Sequence, residues 1–308
     1  MQKQISVLFL LTFLTFSVWS CHKNDPAPVK TFHFYDSLHA DGYLRSYLLN
    51  LPPDYNEGNN FPLVIALHGF AGNAGQMETD YKLTAKSNSA GFVIVYPEGV
   101  PSDGLLGLRT WNAGGCCDYA MHHNVDDVKF IRLLIQKLTE KYKIDPKKIY
   151  ATGMSNGAMM TYRLGCELST QLAAIAPVSG TLITRQPCEP ARAVPLLHIH
   201  SSLDTTIPYP GGPGMANYYF PPVDSALRVW AGINGCIPTP NVITDAPLYT
   251  QTEYIDCTNN TSTQLFLTKD GGHSWPGGFQ ARPAADEPSK AFDATDLIWD
   301  FFSRYELP

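Results

Sequence analysis

The chain is predicted to fold as a single α/β domain with a mostly parallel central sheet flanked by helices. Three observations predict it: apolar runs of strand length recur, amphipathic segments of helical period separate them, and the chemically versatile residues stand just after the runs. Residues 31–35 and 43–51 read as leading strands that pair antiparallel at one edge. Residues 62–67, 92–96, 172–178 and 194–199 read as buried parallel strands, with a shorter β-like run at 148–152 and a late one at 264–268. Residues 126–142 carry Val128, Ile131, Leu134, Ile135 and Leu138 at helical spacing. A helix-like run begins at Ala158, and residues 292–305 form the last helix. No internal repeat or low-complexity tract breaks this order, and residues 31–308 suffice for one large domain with a sizeable core.

The amino end has another character. Lys3, the apolar run from Ile5 to Trp19 and Ser20-Cys21 follow the plan of a secretory signal over residues 1–20, too short to span a membrane as a helix. Val18-Trp19-Ser20-Cys21 resembles a bacterial lipobox, so cleavage before Cys21 would leave a lipid-bearing cysteine and a short polar tether over residues 21–30. The alternative is a plainly secreted protein. Either way the expected location is outside the cytoplasm, extracellular or lipid-anchored at a bacterial outer membrane, with membrane contact only through that lipid. The net charge of -6, with 22 basic and 28 acidic residues and no basic stripe, argues against nucleic acid as a partner and fits a neutral or weakly polar substrate.

Six cysteines follow Cys21, at 116, 117, 166, 188, 236 and 257, and an even number in an exported chain suggests up to three disulfides. Cys236 with Cys257 is the favoured pair, because both flank one excursion before the last strand. Cys166 with Cys188 and the vicinal Cys116 with Cys117 complete the set. No Cys-x-x-Cys spacing supports a metal site.

Gly153-Met154-Ser155-Asn156-Gly157 lies between a β-like run and a helix-like run, the context of a nucleophile elbow, in which a strained strand-to-helix turn exposes the serine hydroxyl. The pentapeptide alone arises by chance in roughly one such chain in ten. Its weight comes from partners in the order Ser, Asp, His, which is that of the α/β-hydrolase plan. Asp204 follows the run ending His198-Ile199-His200 and is the candidate acid, with Asp224 and Asp245 as weaker rivals. His273, in the glycine-rich stretch Gly271 to Gly277, is the candidate base; His198 and His200 read as core or cleft-lining groups, and His122 and His123 as a solvated loop. The backbone amides of Asn156 and Phe70 are the candidate oxyanion donors, although Gly69 before Phe70 can equally be a plain loop glycine. Trp111 and Trp275 are candidate substrate-binding walls or, equally, structural tryptophans. Asp126 and Asp127 open a helix, where capping and dipole compensation account for them.

Taken together, Leu67-His68-Gly69, Trp111 to Cys117, Val125 to Val128, Gly153 to Gly157, Asp204 with Ile207-Pro208-Tyr209, and Gly272 to Gly277 resemble the secreted feruloyl esterases and poly(3-hydroxybutyrate) depolymerases. These are α/β-hydrolases of the carbohydrate-esterase type, and the resemblance runs from about Tyr43 to the final helix. It implies Ser155 as nucleophile, His273 as base and Asp204 as acid, acting on a carboxylic ester with no metal or organic cofactor. A hydroxycinnamoylated plant polysaccharide or oligosaccharide is the expected substrate, a hydroxybutyrate polyester the runner-up, and an inactive surface binding protein the remote alternative. The family usually has glycine where this chain has Ser201.

Overall fold

The computed structural model describes residues 32–56 and 58–308; the signal, Cys21 and the tether lie outside the described residues. In chain order the elements are β1 (Phe32–Ala40), β2 (Tyr43–Leu51), β3 (Phe61–Leu67), α1 (Ala74–Asp80), α2 (Leu83–Ala90), β4 (Val93–Pro97), β5 (Val100–Pro101), β6 (Arg109–Thr110), α3 (Asp118–His122) and α4 (Asp127–Lys141). They continue with β7 (Ile144–Met154), α5 (Asn156–Glu167), β8 (Ala174–Val178), β9 (Leu196–Ser201), β10 (Gly212–Pro213), β11 (Tyr219–Phe220), α6 (Val223–Ile233), β12 (Asn241–Asp245), β13 (Tyr249–Tyr254), β14 (Thr263–Thr268) and α7 (Ala294–Phe302).

Ten strands form the central sheet in the order β1-β2-β4-β3-β7-β8-β9-β14-β13-β12. From β4 to β14 neighbouring strands run parallel, and β1-β2 closes one edge antiparallel as expected. The opposite edge carries a second antiparallel extension, β13 and β12, which the sequence reading left out. β12 is largely exposed and β13 half-buried, and their residues are mostly polar, so no apolar pattern marks them.

Strand alternation explains the layers. Leu63, Ile65 and Leu67 face α4, α5 and α6 on one side, while Val64 and Ala66 face α1, α2 and α7 on the other. In α4 the five residues of the predicted stripe are all buried, and Asp126 caps the helix by accepting the Lys129 amide at 2.9 Å. Disulfides join Cys116 to Cys117, Cys166 to Cys188 and Cys236 to Cys257, the last spanning the β12-β13 excursion.

Asp127 stands in the first turn of α4 as expected, and it is also 0% exposed, with Oδ1 accepting from Arg45 Nη2 at 2.7 Å and Oδ2 from the Asn112 amide at 2.8 Å, a pairing that the sequence does not show. The Arg45 guanidinium lies 4.0 Å from the Phe130 ring centroid and also donates to the Glu98 carbonyl. Burial pushes the Asp127 carboxyl up, and the adjacent guanidinium pulls against it. Removing one member of such a pair strands the other charge in the interior, a loss of about 3–5 kcal/mol. Asp127→Ala is therefore expected to lower the urea midpoint by that equivalent, whereas the double change Arg45→Met/Asp127→Leu costs clearly less. A single variant as stable as the double would show that the pairing does not govern this site.

Candidate active site

β7 ends at Met154, and Ser155 makes the turn into α5 at φ 59° and ψ -120°, a backbone conformation that side-chain-bearing residues seldom adopt. The turn is held because the Ser155 amide donates to the Val178 carbonyl at 3.0 Å and the Ser155 carbonyl accepts from Met159. Gly157 is obligatory for space. A Cβ there would run into the backbone carbonyl oxygens of Leu67 and His68, and one on Gly153 would strike Gly157 itself.

The end of β3 feeds the same place. His68 is buried, its Nε2 accepts the Gly99 amide at 3.0 Å, and its Nδ1 donates to the Gly69 carbonyl at 2.7 Å. A carbonyl can only accept, so this pair of bonds specifies the neutral Nδ1-H tautomer. Burial, the largest influence, pushes the imidazole down to about 4, which agrees with a ring that stays uncharged. With the Gly69 carbonyl tied toward His68, the amide of the following Phe70 faces the other way in a trans peptide.

The Asn156 side chain is locked to the Trp111 backbone, accepting its amide at 2.8 Å and donating to its carbonyl at 3.0 Å. Trp111 Nε1 donates to the His68 carbonyl at 2.9 Å. Trp111 is 0% exposed and Trp275 is 1% exposed; Trp275 donates to Thr295 Oγ1 and stacks on Tyr81. Neither lines the cleft, so both are structural tryptophans, not substrate walls. Their ring N–H groups find partners only inside the fold, which is why burial suits them.

Asp204 sits in the turn after β9. Its Oδ1 accepts the amides of Thr206 at 2.9 Å and Ile207 at 2.8 Å, while Oδ2 lies 2.8 Å from His273 Nδ1. Burial raises this carboxyl, but His273, His200 and the Ile207 amide outweigh burial and leave it below the ordinary carboxylate value. The rival Asp224 accepts from Tyr209, and Asp245 pairs with Lys269; neither meets His273. Ser201 ties its turn to the next loop, accepting the Leu203 amide and donating to the Asp270 carbonyl at 3.2 Å.

His273 has one holder that sequence reasoning missed. Asp286 Oδ2 accepts the His273 backbone amide at 2.7 Å and fills the space that a side chain on Gly272 would need. Nothing in the stretch Ala284-Ala285-Asp286-Glu287 singles it out.

Ser155, His273, Phe70, Thr206, Met215 and Asp286 all line one open cleft of about 840 Å³ at the carboxyl ends of the parallel strands, within the usual range for small-molecule sites. An elbow serine at such a sheet edge, with a carboxylate-bonded histidine in the same cleft, defines the α/β-hydrolase class.

Comparison with known proteins narrows this. Residues 56–221 match the phospholipase/carboxylesterase family, more than half of the chain, and the chain belongs to that family, a serine-hydrolase family acting on carboxylic esters. It is similar to feruloyl esterase B of Piromyces equi, 28% identical over 272 residues that make up 86% of this chain and 46% of that protein. Feruloyl esterase C of Emericella nidulans is 27% identical over 267 residues, 84% of this chain and 83% of that one. Among solved structures, the acetyl xylan esterase from Aspergillus awamori superposes with a TM-score of 0.60 at 17% identity, over 88% of this chain and 99% of that one, a likeness of fold. The chain thus spans less than half the length of the Piromyces relative.

The buried histidines are expected to make the protein acid-labile. Burial pushes His68, His198 and His200 below their ordinary value, so the unfolded chain takes up protons that the native state refuses as pH falls. The native state binds fewer protons below about pH 6.5, the unfolded histidine value, and stability is full above that and lost on going down. Calorimetric or urea stability is expected to be level from about pH 8 to 6.5 and then to fall by as much as about 1.4 kcal/mol per pH unit for each histidine. A stability flat down to about pH 4.5 would contradict the uncharged assignment.

Proposed function

We propose that the chain is a serine carboxylic-ester hydrolase that releases hydroxycinnamoyl groups such as ferulate from plant cell-wall polysaccharide. The observation that carries the reading is the 2.8 Å bond between His273 Nδ1 and Asp204 Oδ2 in the cleft that holds Ser155 on its strained turn. The names of the Piromyces and Emericella relatives, both feruloyl esterases, support the substrate class.

In this reading the ester carbonyl lies above Ser155. The Ser155 Oγ attacks while His273 Nε2 takes its proton, and Asp204 keeps the Nδ1-H tautomer in place and stabilises the imidazolium. Negative charge on the carbonyl oxygen is received by the amides of Phe70 and Asn156, which the ties at His68 and Trp111 hold in advance. The imidazolium then protonates the departing sugar oxygen, leaving an acyl-Ser155. A water deprotonated by His273 attacks that ester, and collapse returns the free acid and Ser155. Three disulfides accord with an exported enzyme, for which Cys21 would supply a lipid anchor.

Ser155→Ala is expected to lower kcat on methyl ferulate on the order of 10⁴-fold or more with the fold intact by circular dichroism, and to abolish labelling by a fluorophosphonate. Initial rates of one preparation on methyl ferulate, acetylated xylan and hydroxybutyrate oligomers test the substrate class. Turnover confined to the oligomers would replace feruloyl release by polyester cleavage.

A further inference from the structure

Behind Asp204 runs a chain of buried polar side chains that the mechanism above leaves unused. Tyr162 OH on α5 is 2.8 Å from His198 Nδ1, His198 Nε2 is 3.1 Å from His200 Nδ1, and His200 Nε2 is 2.9 Å from the Ile207 carbonyl. All three side chains are buried, at 1% exposure or less. The last partner sets the direction of the whole chain. Because the Ile207 carbonyl only accepts, His200 carries its proton on Nε2 and accepts at Nδ1; His198 must therefore donate from Nε2 and accept at Nδ1, and Tyr162 donates into it. One arrangement of three protons satisfies every atom.

The chain ends on the acid. Ile207, whose carbonyl His200 holds, gives its own amide to Asp204 Oδ1, and His200 Nε2 stands 3.4 Å from Asp204 Oδ2. We propose that Tyr162, His198 and His200 form a directional hydrogen-bond relay that positions Asp204, fixing which carboxylate oxygen faces His273. His200 is the positioning residue in contact with the acid. The proposal rests on the reading of Asp204 as the acid.

The titratable and charged groups facing the relay are few. His200 faces Asp204 and His273, and its ring lies 5.8 Å from that of Tyr209, which is bonded to Asp224; His198 faces Tyr162, which packs edge-on against Trp230. Burial pushes both histidines down, so each remains a neutral ring with one proton to place.

Two measurements test this. In the wild-type protein labelled with ¹⁵N-histidine, His198 and His200 are expected to be Nε2-H tautomers that do not titrate between about pH 5.5 and 8. An Nδ1-H tautomer or a titration at either ring would overturn the relay. The second uses two replacements that each keep half of the imidazole. His200→Gln retains a donor near the Nε2 position, and His200→Asn retains a polar group near the Nδ1 position but loses the bond to Ile207. On a soluble 4-nitrophenyl ester, H200N is expected to lose about 10–100-fold in kcat with KM within about twofold, and H200Q to exceed it about tenfold. The acid limb of kcat/KM in H200N is expected to move to lower pH, because a misaligned carboxylate stabilises the imidazolium less. Equal kcat in the two variants, or an unmoved acid limb in H200N, would overturn the proposal. Asp204→Asn separates the two levels: if it turns over like wild type, the acid itself was misassigned, whereas an inactive D204N beside a fully active H200N removes only the relay. If neither His200 variant folds, the tautomers in the wild-type protein decide.

Discussion

The site depends on one steric constraint, the close approach of Gly157 to the last carbonyls of β3. Only a residue without a side chain allows the first turn of α5 to lie directly against Leu67 and His68. That contact brings the turn after β3 and the elbow after β7 together, although about ninety residues separate them in sequence. The parallel pairing of β3 with β7, registered from Leu63 opposite Ile149 to Leu67 opposite Gly153, delivers both chain ends to the same edge. Ser155 then has little choice but to project upward, and its unusual backbone angles are the consequence of a turn with no other room.

A polar scaffold beneath this contact keeps it from drifting. Arg45 on β2 holds Asp127 at the start of α4; Asp127 holds the Asn112 amide; the neighbouring Trp111 backbone holds Asn156; and the Trp111 ring holds the His68 carbonyl. Arg163 on α5 adds a bond to the Asn112 carbonyl at 2.6 Å. Buried polar groups of this kind contribute little net stability when satisfied and cost heavily when one partner is lost, so they select one arrangement out of the many that an apolar core would tolerate. The loop from Trp111 to Cys117 thus acts as a spacer between sheet and elbow, and its tryptophan belongs to the scaffold.

What the sequence made legible follows from how local each signal is. Strands β3, β4, β8 and β9 show because both faces of a central strand are buried, leaving continuous apolar runs, and α4 shows because one stripe is buried. Ser155, Asp204 and His273 show because each stands in the turn or loop that follows a strand, directly after β7 for Ser155 and a few residues past β9 and β14 for the other two. The β12-β13 edge is silent because it is solvated, and the burial of Asp127 is silent because its partner lies 82 positions away. Trp111 and Trp275 look alike in the sequence whether they face a cleft or a core, since tryptophan serves both. Asp286 holds the loop of His273 through a backbone amide, a bond that leaves no mark on either residue type.

These particulars divide the cleft into two parts of different character. The inner part is tied at every loop: His68 to Gly69, Asn156 to Trp111, Ser201 to Asp270, Asp286 to the His273 amide, and Asp204 by two amides on one oxygen. Donors and acceptors fixed before substrate arrives need not reorganise as charge develops, which is the condition under which such groups lower a barrier most. The outer part is built from loop residues such as Leu108, Met215, Ala281 and Arg282, with none of these ties on their side chains. In the proposed reading, chemistry and selectivity fall to separate pieces of the chain: the inner ring would set which bond is broken, and the outer wall which ester reaches it. On that reading, the substrate can change through the segments around 104–108, 212–215 and 279–284 while the elbow, Asp204, Asp286 and the scaffold under them stay as they are.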